Sequence, residues 1–283
     1  MNCSLWLCCH NRYDIVPDGF VPIQCGAALN PVLKGAARDD IGDNISRKNP
    51  SYCELTAHYY AWKNIDADIY GFCHYRRFFA FDDRIKKPYI VRRKISEKDF
   101  SLLNTDRTWE QIFNDFDIIA PKSEDMGLTV RSHYCTSAYH YREDLELFIE
   151  ILTTMFPEYK RPAEYYLSQN RQYFCNMFIM KKAEFDKYCS VLFSVLTEFD
   201  KRKKCHGDFQ SDRTDGYLGE IFTGIFITTS REQGIKIVEF PRIDAKCSRK
   251  KIMLYHLFPP ESKQRFWIKR LVKAIKRQNE TKT

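Results

Sequence analysis

Apolar runs of strand length alternate along this chain with stretches where apolar residues recur every three to four positions. Runs at 4–9, 20–27, 69–73, 116–121, 174–180 and 235–240 predict strands. A helix is expected over 49–64, with Asn49 as N-cap and Pro50 at the first helical position. Its Leu55, Tyr59 and Trp62 share one face, and Glu54 and His58 lie one turn apart on another. An amphipathic turn holds Trp109 and Phe113. Leu145, Phe148, Ile149 and Leu152 mark a helix over 141–156, stopped by Pro157. Phe185, Tyr188, Leu192, Val195, Leu196 and Phe199 mark a long one after the strand at 174–180, and 216–227 reads as another. The polar, turn-rich segment 34–48 reads as a loop. Strands alternating with helices give an α/β class with a mixed, mostly parallel sheet. No repeat or linker interrupts the chain before about Pro260, so one domain is expected over 1–260, followed by a tail over 261–283.

Composition narrows the partners. The net charge is +8, but the last 23 residues hold eight Lys/Arg against two Glu, leaving only +2 on the first 260. A nearly neutral body argues against nucleic acid as a partner. The 11 cysteines show no CxxC spacing and sit in apolar runs, which reads as reduced thiols in a cytosolic protein without a zinc site. Met1-Asn2-Cys3 lacks a basic leader, so no signal peptide is expected, and no stretch has the length of a transmembrane helix.

The chemistry concentrates at the end of the run 69–73. There the chain reads His74-Tyr75-Arg76-Arg77, groups that a buried strand would not tolerate. Ligand sites in open α/β sheets form at the carboxyl ends of strands. Two adjacent guanidiniums there suit a dianionic ligand, since each can grip phosphate or carboxylate oxygens bidentately. The alternative is that the two arginines point to opposite faces and one is merely solvated. GxGxxG, GxxxxGK[ST] and GxSxG are all missing, which disfavours dinucleotide enzymes, P-loop kinases and α/β-hydrolases.

Several stretches together resemble a known family. They are Pro22-Ile23-Gln24-Cys25-Gly26-Ala27; Asp43-Asn44-Ile45-Ser46 with Asn49-Pro50-Ser51-Tyr52-Cys53-Glu54-Leu55-Thr56; Tyr60-Ala61-Trp62-Lys63-Asn64; Gly71-Phe72-Cys73-His74-Tyr75-Arg76-Arg77; Asn176-Met177-Phe178-Ile179-Met180; and the segment from Arg213 to Glu220. Over residues 1 to about 240 the chain resembles a bacterial family long labelled only as a domain of unknown function. That family is found in capsular polysaccharide and O-antigen gene clusters, and its members are glycosyltransferases. The resemblance implies a single Rossmann-like, GT-A-like domain that moves a sugar from a nucleotide diphosphate, UDP-linked, to a lipid-linked glycan. Galactofuranose or another hexose is the sugar class implied. Donor contacts fall on His10, Gly26, Asp43, Asn44, His74, Tyr75, Arg76 and Arg77, and acceptor contacts on Asn176 and Arg213.

One departure from ordinary GT-A enzymes stands out. Those place Asp-x-Asp at the end of the central strand to hold a metal, whereas here Asp66-Ala67-Asp68 precedes the strand and two arginines end it. The charge left on the nucleotide diphosphate can be stabilised by those arginines, so a metal-independent site is expected. The alternative is Mn²⁺ or Mg²⁺ held by carboxylates from 39–43. An inverting transferase needs a carboxylate base. Glu220, in an otherwise apolar helical stretch, is the first candidate, and pairing with Arg213 is its structural alternative. Glu54 is the second, with pairing to His58 or Arg76 as its alternative. Asn176 bonds either an acceptor or a neighbouring backbone group, and His10 is either a nucleotide contact or structural. The rival reading of the whole chain is a non-catalytic nucleotide- or glycan-binding scaffold. In the tail, Trp267, Ile268, Leu271, Val272 and Ile275 form one stripe, with Lys269, Lys273, Lys276 and Arg277 off it. That pattern predicts an amphipathic helix on the inner face of the plasma membrane, or one docked on the body.

Overall fold

The computed structural model describes residues 1–82, 84–137, 140–204 and 213–259, with 262, 264, 265 and 267. The first apolar run forms β1 (Cys3–Cys9). The second is shorter than its apolar pattern, β2 (Val21–Gln24), because Gly26 takes a left-handed φ of 70° and turns the chain. The segment read as a loop contains a two-residue strand, β3 (Ala37–Arg38). The helix expected over 49–64 is two helices, α1 (Asn49–Tyr52) and α2 (Leu55–Asn64), broken at Cys53, whose φ is 54°. Asn49 is itself helical, and its side chain bonds the Cys53 carbonyl at 2.7 Å across the break instead of capping the start.

The central run is β4 (Ile69–His74), buried at every position. It turns into β5 (Arg77–Phe79), followed by β6 (Tyr89–Val91), α3 (Glu97–Ser101) and α4 (Trp109–Asp115). Next come β7 (Ile118–Pro121), β8 (Glu124–Asp125), α5 (Val130–Thr136), α6 (Arg142–Met155), α7 (Lys160–Ser168) and β9 (Arg171–Gln172). The strand expected over 174–180 is β10 (Phe178–Lys181), since Cys175 and Asn176 both adopt positive φ, 81° and 46°, and cannot pair as strand. Then follow α8 (Lys182–Arg202), α9 (Thr214–Glu232), β11 (Ile237–Phe240), β12 (Arg242–Asp244) and α10 (Arg249–Leu257).

Among the described residues ten strands form one sheet with the path β11-β7-β10-β4-β1-β2-β3, and β5, β6 and β12 extend it from β4. β1 runs parallel to β2 and β4, and β11 parallel to β7. β10 is antiparallel to both neighbours, so its start lies beside the carboxyl ends of β1 and β4. The expected α/β class, a mixed and mostly parallel Rossmann-like GT-A-like domain, is what the chain forms. Side chains alternate across the sheet as the two-residue period requires. Tyr70, Phe72, Ile118, Phe178 and Met180 face a core shared with α2, α6, α7, α8 and α9. Ile69, Cys73, Ile119 and Ile179 face a second core with Phe78, Phe79, Ile112 and Phe113.

His58 is buried in the first core, its ring 4.1 Å from that of Phe72, and neither ring nitrogen has a partner among the described residues. Desolvation lowers its pKa to about 3. The folded state therefore resists a proton that the unfolded chain accepts near pH 6.5, and stability falls as pH drops below that value. Relative to His58→Leu, the wild type is expected to lose about 1.4 kcal/mol per pH unit between 6.5 and 3. Urea melts of both proteins across that range check it, and parallel curves would refute it.

The tail stripe Ile268, Leu271, Val272 and Ile275, with Lys269, Lys273, Lys276 and Arg277, lies outside the described residues. Trp267 is described and 62% exposed.

Candidate active site

The carboxyl edge of β1 and β4 gathers most of the residues singled out in the sequence. β1 delivers His10 and β4 delivers His74, their rings 6.4 Å apart, and Tyr75 lies 4.7 Å from His74. Both imidazoles are pushed towards the neutral form. Desolvation comes first in each case, and in His74 the charges of Arg77 and Arg76 add to it. At neutral pH this histidine pair therefore contributes hydrogen-bonding groups rather than charge.

Two carboxylates stand behind them. Glu54, 6% exposed, begins α2 directly after the strained Cys53. Asn176 Nδ2 donates to Glu54 Oε1 and to the Gly216 carbonyl, each at 3.0 Å. The neighbouring Cys175 N–H donates to Glu220 Oε1 at 2.9 Å. Two consecutive residues in left-handed conformations thus hold two carboxylates from different helices. Non-glycine residues there cost of order 1–3 kcal/mol each and concentrate at functional sites.

The close approach of α9 makes this possible. A Cβ on Gly216 would stand 2.9 Å from Cys53 Sγ, and one on Gly219 2.8 Å from a Leu55 methyl. Both glycines are required for contact rather than for turning. Glu220 is half-buried. Its pKa is raised to about 7, by desolvation and then by the charge of Glu54, against the opposing pull of Arg77. A carboxyl poised near neutrality can accept a proton at working pH. Glu220 is not paired with Arg213, whose Nε donates to Cys53 Sγ at 3.1 Å and whose guanidinium lies 5.8 Å from the Tyr217 ring. Glu54 is likewise bonded to Asn176, and no ion pair joins it to His58 or Arg76 among the described residues.

The two arginines diverge. Arg76 is exposed and lies 5.4 Å from the Tyr75 ring. Arg77 is half-buried, and its charged form is favoured by Cys175, Asp244 and Glu220. Neither has a carboxylate within ion-pair distance among the described residues. Behind Arg77 lies a buried ionic cluster that nothing in the sequence signalled. Arg242 contacts Glu124 at 2.7 Å and Asp244 at 2.6 Å. Desolvation opposes the ionisation of Asp244, but Arg242 outweighs it and takes the pKa down to about 2. In the same cluster burial raises the pKa of Glu124 against the opposing pull of Arg242.

The remaining predicted positions serve the loop beside β3. Gly26 N–H and Ala27 N–H both donate to the buried Asp39, at 2.8 and 3.0 Å, and a Cβ on Gly26 would meet Asn49 at 2.6 Å. Asp43 accepts from Tyr59 at 3.2 Å, and Asn44 closes a turn by bonding the Gly42 carbonyl and the Ser46 N–H. Asn44 lines a separate cavity of about 710 Å³ with Arg38, Arg47 and Lys48. The structure thus brings His10, His74, Tyr75, Arg76, Arg77, Glu54, Glu220, Asn176 and Arg213 to one edge and leaves Asp43 and Asn44 apart. The carboxylates proposed as alternative metal ligands are otherwise engaged. Asp39 also accepts from Ser46 Oγ at 2.5 Å, and Asp40 pairs with Arg38 at 2.5 Å. Asp66 and Asp68 sit at the amino end of β4, where Asp68 accepts from the Asn2 N–H at 2.7 Å.

The model of a family described as a domain of unknown function, DUF4422, matches residues 4–232. A solved structure is similar as well, that of the WbbM bifunctional glycosyltransferase in its apo state. It is 29% identical with a TM-score of 0.78, over 87% of this chain and 45% of that one. The chain therefore spans under half the length of that relative. No curated protein matches.

Proposed function

The chain belongs to the DUF4422 family, and from that premise we propose that it is a glycosyltransferase moving galactofuranose or another hexose from a UDP-linked donor to a lipid-linked glycan of capsule or O-antigen type. The observation that carries this reading is the pair Glu54 and Glu220, anchored from consecutive residues beside the His74-Tyr75-Arg76-Arg77 turn. Glu220 takes the proton from the acceptor hydroxyl as the acceptor attacks the anomeric carbon. The bond to the departing diphosphate breaks on the opposite side, which inverts the centre. Arg76 and Arg77 stabilise the charge that accumulates on the leaving group. Asn176 fixes Glu54, whose negative charge keeps Glu220 basic. Similarity to the WbbM bifunctional glycosyltransferase supports the reaction class.

The test is turnover. The purified full chain is incubated with a panel of UDP-sugars and a glycan acceptor, and release of UDP is followed with and without EDTA. One donor is expected to be consumed, at a rate that chelation leaves unchanged. Donor binding with no UDP release from any donor would favour a binding scaffold. Loss in EDTA restored by Mn²⁺ would assign a metal site.

The same reading places the protein on the inner face of the plasma membrane. Support comes from α10 and the first tail residues, where Met253, Leu257 and Trp267 are 57%, 63% and 62% exposed among basic residues such as Arg249 and Lys250. Among the described residues no helix is long and apolar enough to cross a membrane. The full chain is expected to pellet with phosphatidylserine vesicles at low salt and to be released at high salt, with about 1 kcal/mol lost per tail Lys/Arg removed. Equal pelleting after deletion of residues 262–283 would overturn this placement.

A further inference from the structure

We propose that the cavity between the β4–β5 turn and the start of α10 is a phosphate-group site completed by Lys246 and Lys251, and that it takes the donor's diphosphate. The second half of that statement rests on the transferase reading. Both lysines lie beyond residues 4–232, the span the family model matches.

The cavity measures about 320 Å³, and Arg76, Arg77, Asp244, Lys246, Ser248 and Lys251 are among the residues lining it. That is the lower end of ligand-sized cavities, small for a whole nucleotide sugar and ample for phosphate groups. Four cationic side chains thus share one small space with a single carboxylate. That carboxylate is already committed. Asp244 is held by Arg242 at 2.6 Å and reaches Lys251 only at 3.4 Å. Arg76 and Arg77 have no acidic partner among the described residues, and Arg77 is half-buried. Lys246 holds Asp14, a half-exposed residue that can release it to a stronger anion. Asp244 and Glu220 act on Arg77 only from beyond ion-pair distance, so an anion entering the cavity would meet four cations that it could bond directly. A phosphate oxygen can accept from Arg and Lys at once.

The placement is fixed rather than accidental. The Ala245 N–H donates to the Arg76 carbonyl at 2.8 Å, which ties the lysine-bearing segment to the arginine turn. Cys247 N–H donates to the Arg92 carbonyl at 2.9 Å on the other side of Lys246. Lys246 itself sits at φ 56°, a conformation that an L residue keeps only when its surroundings enforce it.

The experiment uses the full chain and three probes: inorganic pyrophosphate, UDP and uridine. Binding is followed by calorimetry and by the thermal midpoint, which a ligand of the folded state raises. Pyrophosphate is expected to bind, to displace UDP, and to weaken as salt rises, while uridine does not displace it. Lys246→Ala and Lys251→Ala are each expected to weaken pyrophosphate about tenfold, in keeping with the loss of one charge-assisted hydrogen bond. Lys251→Gln repeats the test in a variant that keeps the side-chain length. Wild-type protein that ignores pyrophosphate, or a double lysine variant that binds it unchanged, would overturn the site. UDP and pyrophosphate bound together would overturn its assignment to the donor. The two readings fail separately. Pyrophosphate lost from the double variant, with no transfer from any donor, keeps the pocket and removes the transferase. Normal transfer by the double variant overturns the pocket's assignment to the donor and keeps the transferase.

Discussion

Glu220→Gln is expected to bind donor as the wild type does and to transfer sugar about 10²- to 10⁴-fold more slowly, the usual contribution of a positioned base. The substitution keeps an oxygen for the Cys175 N–H, so the α9 contact survives while the basicity is lost. In the wild type, kcat/KM should rise with pH through about 7, where Glu220 loses its proton, and level off above. Glu54→Gln offers a second reading of the same electrostatics. Removing its charge lets Glu220 ionise more easily, so the rising limb should move to lower pH. Stability gives an independent sign. The folded pKa of Glu220 lies above that of the unfolded chain, so its stabilising contribution is present below about pH 4.5 and is lost as pH rises through 7. The Gln variant should therefore be at least as stable as wild type at pH 8. A Gln variant with the wild-type rate and a folded melt would end Glu220's role as base.

Arg77→Ala carries the other large expectation. Among the described residues its guanidinium has no carboxylate within ion-pair distance, so the cost should fall on the reaction more than on folding. By analogy with a lost oxyanion donor, turnover should drop about 10²- to 10³-fold, or about 3–4 kcal/mol of transition-state stabilisation. Arg77→Lys should recover part of it, since a point charge remains but the planar fork does not. Arg77 also lowers the pKa of Glu220, so the alanine variant's pH profile should move upward. Arg76→Ala should cost less, because that side chain is exposed and its field is screened. Rate measurements at fixed donor saturation, with a melt as control, decide the point. A folded Arg76/Arg77 double variant with wild-type turnover would remove both from the site.

The local pattern determined the strand cores and the placement of the polar cluster. β1, β4 and β7 follow from apolar runs, since a strand buried on both faces must be apolar at successive positions, whereas β11 is a half-buried edge strand whose run is interrupted by Glu239. Tyr75-Arg76-Arg77 was legible for the same reason, since these residues cannot continue that burial, whereas His74, read from the sequence as too polar for a buried strand, is the last buried residue of β4. The sequence also marks Glu220, as one carboxyl among apolar helix positions.

What the periodicity could not reach are contacts between distant segments and local conformations that only those contacts stabilise. Asn176 meets Glu54 across 122 residues of chain, and the bond exists only because Gly216 and Gly219 let α9 approach α2. A propensity reading extends the strand through Cys175 and Asn176, whereas tertiary packing holds both in a left-handed bend. Cys53 breaks a helix that its neighbours would continue, for the same kind of reason. The divergence of Arg76 from Arg77, and the arrival of Lys246 and Lys251 beside them, were decided by β12 pairing with β5. That pairing joins segments more than 160 residues apart in sequence, too far for any local pattern to record.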